Sequence, residues 1–266
     1  MIKSILKSFL NLFDYNISRK SLYDKSDDPI YILQFLLKSF HVREIIDGGA
    51  SIGTFSQRLS ESFPSSKIHA FEPFQKHFDQ LQEIAQKNNS ILPVKKCLSN
   101  NNNKKLFFLN QEAGTNSLLQ STKQGQTVYG NQLKQIGQTE VECTSIDHYL
   151  HSKKIESVDL LKLDLQGGEY NAIQGASESL SQGKIKSILC EILFENHYED
   201  QVSAGKLLKV LIDDYNFIFF NFYQSNYYNG KLIFADVLLF HPSIIEEVKR
   251  KNKSLFLPYS NIINYH

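Results

Sequence analysis

A glycine-rich loop that opens with a carboxylate is the first stretch of the chain able to do chemistry. Residues 44–59, EIIDGGASIGTFSQRL, place an apolar strand pattern before Asp47 and a helical pattern after Gly53. Between them, Gly49 and Ser51 complete the spacing D-x-G-x-S-x-G. A glycine between a strand and a helix lets a ligand approach the backbone closely, because no Cβ stands in the way. The loop therefore predicts a binding site with a carboxylate at its entrance.

Three further carboxylates are predicted at or near the carboxyl ends of other strands. Glu72 follows the loop by about 20 residues, the separation expected for an acid that hydrogen-bonds a ribose diol. Asp164 follows the fourth predicted strand, and Glu191 lies within the fifth. In open α/β sheets, ligands bind beyond this edge of the sheet. These acids are therefore expected to surround one ligand.

The charge of these side chains separates two classes of cofactor. A dinucleotide brings a pyrophosphate, which binds backbone N–H groups at a helix N-terminus without carboxylates nearby. S-adenosylmethionine brings a positive sulfonium, and two unit charges about 4 Å apart interact by about 4 kcal/mol at an effective dielectric near 20. Asp47 and Asp164 on adjacent strand ends favour the sulfonium, so S-adenosylmethionine is the predicted cofactor. An NAD-dependent oxidoreductase is the less favoured alternative, because the loop lacks the middle glycine of G-x-G-x-x-G.

Strand and helix patterns alternate from residue 43 onward, which predicts an α/β fold with a mostly parallel sheet covered by helices on both faces. The turn Asn229-Gly230 joins two late strands in a hairpin, so the last strand is predicted to be antiparallel. A strand pair at 105–110 and 139–146 brackets a polar loop, residues 111–138, that is either mobile or functional. The other predicted strands are 43–50, 67–73, 90–98, 157–165 and 185–193, and the helices are 53–63, 74–87, 168–182 and 204–215.

The organisation predicted is a helical extension over residues 1–42, a domain over 43–242 and an appendage over 243–266. The apolar start with interspersed lysines predicts an amphipathic helix, which packs on the domain or on a second subunit, or touches a membrane surface through residues 1–14. It lacks a small-residue cleavage site, so a signal peptide is not expected.

Composition excludes several partners and sites. The formal net charge of +1 gives no electrostatic case for nucleic acid. The three cysteines, Cys97, Cys143 and Cys190, show no CxxC spacing, which argues against a disulfide framework or a zinc site. No metal is therefore predicted, and a reducing, cytoplasmic compartment is expected.

A second segment, VDLLKLDLQGGEYNAIQGA at residues 158–176, resembles the FkbM-type methyltransferases, in which a strand ends in D-V-E-G-A-E. The resemblance covers residues 45–195 and includes IDGGASIG, FEP, CLSN and TSIDHYL. It implies a Rossmann-like class I fold and an S-adenosylmethionine-dependent methyltransferase that acts on a hydroxyl of a sugar or other small molecule. Two residues depart from the family pattern: Ser51 replaces an asparagine, and Gln166 replaces a glutamate.

Position in this pattern assigns the donor contacts. The backbone of Gly49 and Ser51 is expected at the methionine part, with Asp47 nearby, and Glu72 at the ribose hydroxyls. Gly53 completes the loop. Either Ser99 or Asn100, beyond the third strand, is expected near the adenine.

Asp164 is expected beside the transferred methyl and is the first candidate for catalysis. Glu191 and His197 follow as candidate general bases, although a loop histidine is also typical of solvated surface. Glu169 either takes part or complements the dipole of the helix that it opens. Residues 114–126 are expected to close over the acceptor, with disorder as the alternative. A non-catalytic methyltransferase-like module remains a further alternative, because Gln166 removes a carboxylate.

Overall fold

The computed structural model describes residues 27–38 and 40–251 of the 266-residue chain. Its helices are α1 (Pro29–Leu37), α2 (Thr54–Ser62), α3 (Gln75–Lys87), α4 (Lys123–Tyr129), α5 (Ile146–Lys153), α6 (Glu169–Gln174), α7 (Ser177–Ser181), α8 (Ala204–Lys209) and α9 (Pro242–Lys251). Its strands are β1 (Glu44–Gly48), β2 (Lys67–Phe71), β3 (Ile91–Val94), β4 (Cys97–Leu98), β5 (Lys105–Asn110), β6 (Gln135–Val141), β7 (Cys143–Thr144), β8 (Leu160–Leu163), β9 (Ser187–Leu193), β10 (Ile218–Tyr228) and β11 (Lys231–Phe240).

Seven strands form one sheet in the order β10-β11-β9-β8-β1-β2-β3. All neighbours pair in parallel except β11, which runs antiparallel to both β10 and β9. The predicted α/β fold with an antiparallel last strand is therefore confirmed. The chain leaves β1 towards β2 on one side, and β8 lies on the other, so the strand order reverses beside β1. Ligands of open α/β sheets bind at such a reversal.

Helices cover both faces of the sheet, as the continuous apolar strands require. The core on one face is built with α1, α2, α3 and α9, and the core on the other face with α5, α6, α7 and α8. All four residues of the central strand β8 are buried, including a lysine. A charged residue at the centre of the sheet needs partners, and it finds them at the site described below.

Two predicted elements are divided in the structure. The strand predicted at 90–98 separates into β3 and β4, and β4 leaves the main sheet to pair with β7. The helix predicted at 168–182 is interrupted at Gly175, where an added Cβ would lie 2.1 Å from the carbonyl oxygen of Ser99. The close approach of a second backbone therefore ends α6 there, which helical periodicity could not reveal.

The polar loop at residues 111–138 is ordered and has its own secondary structure. Two short 3₁₀ helices, the helix α4 and the beginning of β6 lie within it. Ser117 pairs with Phe108 of β5, and Ser121 pairs with Tyr198 in isolated bridges. The Thr122 hydroxyl donates a hydrogen bond to the carbonyl oxygen of Asn196 at 2.6 Å. The alternative of disorder is therefore wrong for this segment.

The ends of the chain leave several predictions open. The helix α1 packs in the same core cluster as β1, but residues 1–14 and 252–266 lie outside the described residues. The membrane contact, the second subunit and the domain boundaries therefore stay predictions. Within the described part of the chain, no helix has the length and apolarity needed to cross a membrane.

Candidate active site

The glycine loop bends tightly between β2 and β8. Gly49 has φ +76°, and a Cβ there would stand 1.9 Å from the carbonyl oxygen of Asp164. The N–H groups of Gly49 and Ala50 donate to the carbonyl oxygen of Phe71 at 3.1 and 2.9 Å. The Ser51 N–H donates to Glu72 Oε2 at 2.9 Å. Three successive N–H groups of the loop are therefore already hydrogen-bonded within the protein.

Glu72 ties the loop to the following helix. Its second oxygen, Oε1, accepts a hydrogen bond from the N–H of Phe74 at 2.7 Å, just before α3. Burial raises the pKa of Glu72 to about 7, against the effect of these two hydrogen bonds. Each carboxylate oxygen retains a further lone pair, so Glu72 is still able to accept a hydroxyl from a ligand.

A crevice runs along the carboxyl ends of β1, β2 and β8. Glu72 and His77 line one end of it, and Asp164 lines the other. Its remaining walls include Gly49, Ser51, Pro73, Cys97, Phe107, Ala113, Gly114, Asn116, Leu165 and Gln166. Gly114 and Asn116 belong to segment 114–126, which was expected to close over the acceptor, and they line this first crevice. Closure over the acceptor stays a prediction.

Asp47 lies below the crevice, and its charge is compensated inside the protein. It is fully buried, and it accepts a hydrogen bond from the Ser56 hydroxyl at 2.6 Å. Its Oδ1 lies 3.2 Å from Nζ of Lys162, the lysine of β8. Asp47 and Lys162 are register partners on the same face of the sheet. Asp47 does not line the crevice, and the cation nearest to it is the protein's own, so its expected place near the cofactor stays a prediction.

Lys162 is the principal residue that the sequence analysis missed. Its ammonium group donates to the carbonyl oxygens of Gly48 and Gly49 at 3.3 and 3.0 Å, and lies 3.7 Å from Asp164 Oδ2. It also lies 5.3 Å from the centre of the Phe55 ring. Burial lowers the pKa of Lys162, but the charges of Asp47 and Asp164 outweigh burial and raise it. Lys162 is therefore a permanent cation beneath the glycine loop.

Gln166, the residue that departs from the family pattern, joins two candidate acids. Its Nε2 donates to Asp164 Oδ1 at 2.8 Å and to Glu191 Oε2 at 2.9 Å. Its Oε1 accepts a hydrogen bond from the Tyr198 hydroxyl at 2.8 Å. A glutamate in this place would lack the two N–H donors that hold the acids together. The amide therefore brings Asp164 and Glu191 within reach of one group without adding a third charge.

A second cavity, of about 100 Å³, lies on the other side of Asp164. Phe55, Lys162, Leu163, Asp164, Leu189, Glu191, Gln224, Phe234 and Asp236 line it. Asp236 stands directly opposite Glu191 in the pairing of β11 with β9. Burial and the charge of Asp164 raise the pKa of Asp236 to about 7. Burial and the charges of Asp164 and Glu169 raise the pKa of Glu191 well above its usual range.

Glu169 holds the turn between β8 and α6. Its Oε1 accepts hydrogen bonds from the N–H groups of Leu165 at 2.6 Å and Gly167 at 3.3 Å. It is buried, and burial raises its pKa to about 7. These contacts agree with a structural role at the start of the helix.

Three further predicted residues, Gly53, Ser99 and Asn100, lie outside both cavities. Gly53 begins α2 with φ +90°, and a Cβ there would lie 2.8 Å from the Leu81 side chain, so it serves helix packing. Ser99 and Asn100 both accept hydrogen bonds from the Lys105 ammonium, at 2.7 and 3.0 Å. Cys97 lines the crevice in their place.

His197 is buried, which corrects the alternative that it is a solvated surface residue. Its ring packs edge-on against Tyr129, with 4.9 Å between the ring centres. Burial lowers its pKa, and its Nε2 has no hydrogen-bond partner among the described residues. It lines neither cavity, so the structure does not bring it to Asp164.

A signal for the missed residues was present in the sequence. Lys162 interrupts the apolar run LLKLDL, and Asp236 interrupts IFADVLLF. A single charge inside an apolar strand must be paired or functional, because an unpaired buried charge is costly. The two residues share a face of the sheet with Asp47, which only the strand order reveals.

A comparison with protein families matches the part of the chain that contains the glycine loop and the crevice. The family model described as the Methyltransferase FkbM domain matches residues 47–219. The chain belongs to the FkbM methyltransferase family. Its resemblance to that family, inferred from the sequence, is therefore confirmed. The FkbM match begins at Asp47, includes the glycine loop, and extends into β10.

The FkbM chain also resembles individual proteins. It is 26% identical over 158 residues to Methyltransferase sdnD of Sordaria araneosa, a match that spans 50% of this chain and 60% of that relative. The chain thus spans less than two thirds of this relative's length.

Two solved structures also match at low identity. A crystal structure of an FkbM methyltransferase from Methylobacillus flagellatus aligns with a TM-score of 0.49 and 12% identity, over 75% of this chain and 44% of that one. Aeropyrum pernix fibrillarin, crystallised with natively bound S-adenosyl-L-methionine, aligns with a TM-score of 0.44 and 13% identity, over 78% and 73%.

Proposed function

We propose that this protein is an S-adenosylmethionine-dependent methyltransferase that methylates a hydroxyl of a sugar or another small molecule. Membership of the FkbM family supports the reaction class. The choice of S-adenosylmethionine as the cofactor is supported by the hydrogen bonds of the glycine loop. The N–H groups of Gly49, Ala50 and Ser51 are all engaged within the protein, so these three are not available to a pyrophosphate.

The residues of the crevice fit S-adenosylmethionine. The bare backbone at Gly49 leaves room for close approach, and Glu72 is placed to accept the ribose hydroxyls. Asp164, at the opposite end, supplies negative charge for the sulfonium. Cys97 and Phe107 line the crevice and offer an apolar wall to the adenine, whereas Ser99 and Asn100 do not line it.

The bound cofactor supplies an electrophilic methyl group. Transfer to an acceptor oxygen would form the oxygen–methyl bond as the carbon–sulfur bond breaks, with the electron pair left on sulfur and the hydroxyl proton passed to a base. The protein's task is to align donor and acceptor and to exclude water, and alignment alone contributes about 7–11 kcal/mol. The tight loop at Gly49 and the doubly hydrogen-bonded Glu72 provide that rigidity on the donor side.

Calorimetry with S-adenosylhomocysteine and with NAD tests this function. We expect S-adenosylhomocysteine to bind and NAD to show no heat of binding. Glu72→Gln should weaken S-adenosylhomocysteine about tenfold or more, because a hydrogen bond to a charged group contributes about 1.5–3 kcal/mol. Glu61→Gln is the matched control, since Glu61 is an exposed glutamate on α2 that should leave affinity unchanged. Binding of NAD without S-adenosylhomocysteine would overturn the proposal.

A further inference from the structure

We propose that the second cavity receives the methyl acceptor, and that the Asp236 carboxylate faces the transferred methyl group and takes the proton of the acceptor hydroxyl. This inference rests on the proposed function, because it requires a methyl donor in the first crevice. It adds a residue of β11, beyond the segment that the family model matches.

Asp164 provides the geometric link between the two cavities. It lines the donor crevice with Glu72 and Gly49, and it lines the second cavity with Glu191 and Asp236. In an in-line displacement the acceptor approaches the methyl from the side opposite the sulfur. The acceptor must therefore occupy a space that adjoins the donor at its methyl end. The second cavity adjoins the crevice at Asp164, the residue expected beside the methyl.

The walls of the cavity select an uncharged hydroxylated acceptor. Phe55, Leu189 and Phe234 supply apolar surface. Lys162 is the cation among the residues that line this cavity. Its ammonium group already pairs with Asp47 and donates hydrogen bonds to two backbone carbonyl oxygens. A phosphate or carboxylate on the acceptor would meet three acids and no available cation. A neutral hydroxyl meets hydrogen-bond acceptors instead.

Asp236 is better placed than Glu191 to receive a proton. Glu191 already accepts a hydrogen bond from Gln166, and burial together with the charges of Asp164 and Glu169 raises its pKa well above the usual range. Among the described residues, none donates a hydrogen bond to the Asp236 carboxyl or forms an ion pair with it. Its pKa of about 7 suits a base that works near neutral pH.

The step balances with the groups named. The acceptor oxygen forms its bond to the methyl carbon as the carbon–sulfur electron pair returns to sulfur, and the hydroxyl proton moves to the Asp236 carboxylate. Asp236 then releases the proton to water. The charged or titratable groups that face Asp236 are Asp164 and Lys162 of β8, Glu191 of β9, and Asp27 ahead of α1.

Binding of two donor analogues tests the position of Asp236 without knowledge of the acceptor. S-adenosylhomocysteine is neutral at sulfur, whereas sinefungin carries an ammonium group in place of the transferred methyl, on a carbon that replaces the sulfur. The ratio of their dissociation constants reports negative charge at the methyl position. We expect wild-type protein to prefer sinefungin more strongly at pH 8 than at pH 6, because Asp236 ionises in between. Ionisation of Glu72 in the same range affects both ligands at the ribose, so it cancels in the ratio.

The variants give the decisive comparison. Asp236→Asn should reduce the preference for sinefungin about tenfold at pH 8 and remove its pH dependence, whereas affinity for S-adenosylhomocysteine should change less than twofold. Asp236→Glu should retain the preference. Asp236→Ser is measured in parallel, so that loss of folding in one neutral variant does not decide the result. Asp79→Asn, at an exposed aspartate of α3, is the matched control.

The outcomes separate this inference from the proposed function. Unchanged discrimination in folded Asp236→Asn or Asp236→Ser protein overturns the role of Asp236 and leaves the methyltransferase proposal standing. Failure of both analogues to bind wild-type protein overturns the donor site, and the inference falls with it. Loss of affinity for both analogues to the same extent in the neutral variants contradicts a specific place at the methyl.

Discussion

The two halves of the site differ in how far their polar groups are satisfied by the protein. On the donor side, each oxygen of Glu72 accepts a backbone N–H, and the loop from Gly49 to Ser51 donates all three of its N–H groups. On the other side of Asp164, the Asp236 carboxyl is half-buried and has no hydrogen-bond donor among the described residues. Glu72 and the loop backbone are hydrogen-bonded within the protein, whereas the Asp236 carboxyl accepts no hydrogen bond from the described residues.

This difference indicates two different tasks. A buried polar group without a partner costs about 1–3 kcal/mol, so such groups are rare where they have no use. The paired half is a rigid frame that is ready before its ligand arrives. The unpaired half keeps an acceptor available for a group that enters from outside. Lys162 lies between the two halves and neutralises Asp47, so the donor side is not destabilised by an unpaired buried charge.

The strongest way to break the rigid half is Gly49→Ala. A Cβ at φ +76° would overlap the carbonyl oxygen of Asp164 at 1.9 Å, so either β1 or β8 must move. We expect loss of S-adenosylhomocysteine binding and destabilisation by about 3 kcal/mol or more. Gly205→Ala is the control, because a Cβ there meets nothing within 4 Å and alanine favours the helix α8. Equal stability of the two variants in urea unfolding would contradict the steric argument.

Lys162→Met tests the residue between the halves. Removal of the ammonium leaves Asp47 buried beside no cation, and breaking a buried pair costs about 3–5 kcal/mol. The double variant Lys162→Met with Asp47→Asn should recover much of that stability, since both charges are gone. Urea unfolding measures both. If the single variant is as stable as the wild type, Lys162 does not serve Asp47.

The smallest expected effect is a pH-dependent change in stability that arises from Asp236 in the second cavity. The folded-state pKa of Asp236, about 7, lies above its unfolded value of about 3.9, so the native state binds more protons between these values. Its contribution to stability is therefore lost as the pH rises from about 4 to 7. Asp236→Asn removes that loss, so its melting temperature should exceed that of the wild type by a few degrees at pH 8. Asp79→Asn should show no such rise. Equal melting temperatures of the wild type and Asp236→Asn at pH 8 would show that Asp236 is not desolvated.

Gln166 shows how a departure from the family pattern is read correctly only in three dimensions. In the sequence, Gln166 stands where the family has a glutamate, and the missing carboxylate was a reason to doubt catalysis. In the structure, the same amide donates to Asp164 and to Glu191 at once. Removal of one charge allows the other two acids to approach each other without a third repulsion.

The sequence by itself determined the elements and the donor loop. Apolar strands alternating with amphipathic helices imply a parallel sheet, Asn229-Gly230 implies the closing hairpin, and D-x-G-x-S-x-G with Glu72 implies the crevice. These signals are local, because they depend on periodicity and on turn chemistry within a few residues. The crevice formed where those signals placed it, at the ends of β1, β2 and β8.

Only the tertiary structure decided which charges meet. The chain inserts β11 between β9 and β10, and this insertion brings Asp236 opposite Glu191. The pairing of β1 with β8 likewise brings Asp47 beside Lys162. A strand's alternation tells which of its residues share a face, but it carries no information about the neighbouring strand or the register. Those are set by the packing of the whole sheet, where side chains far apart in sequence must find their partners.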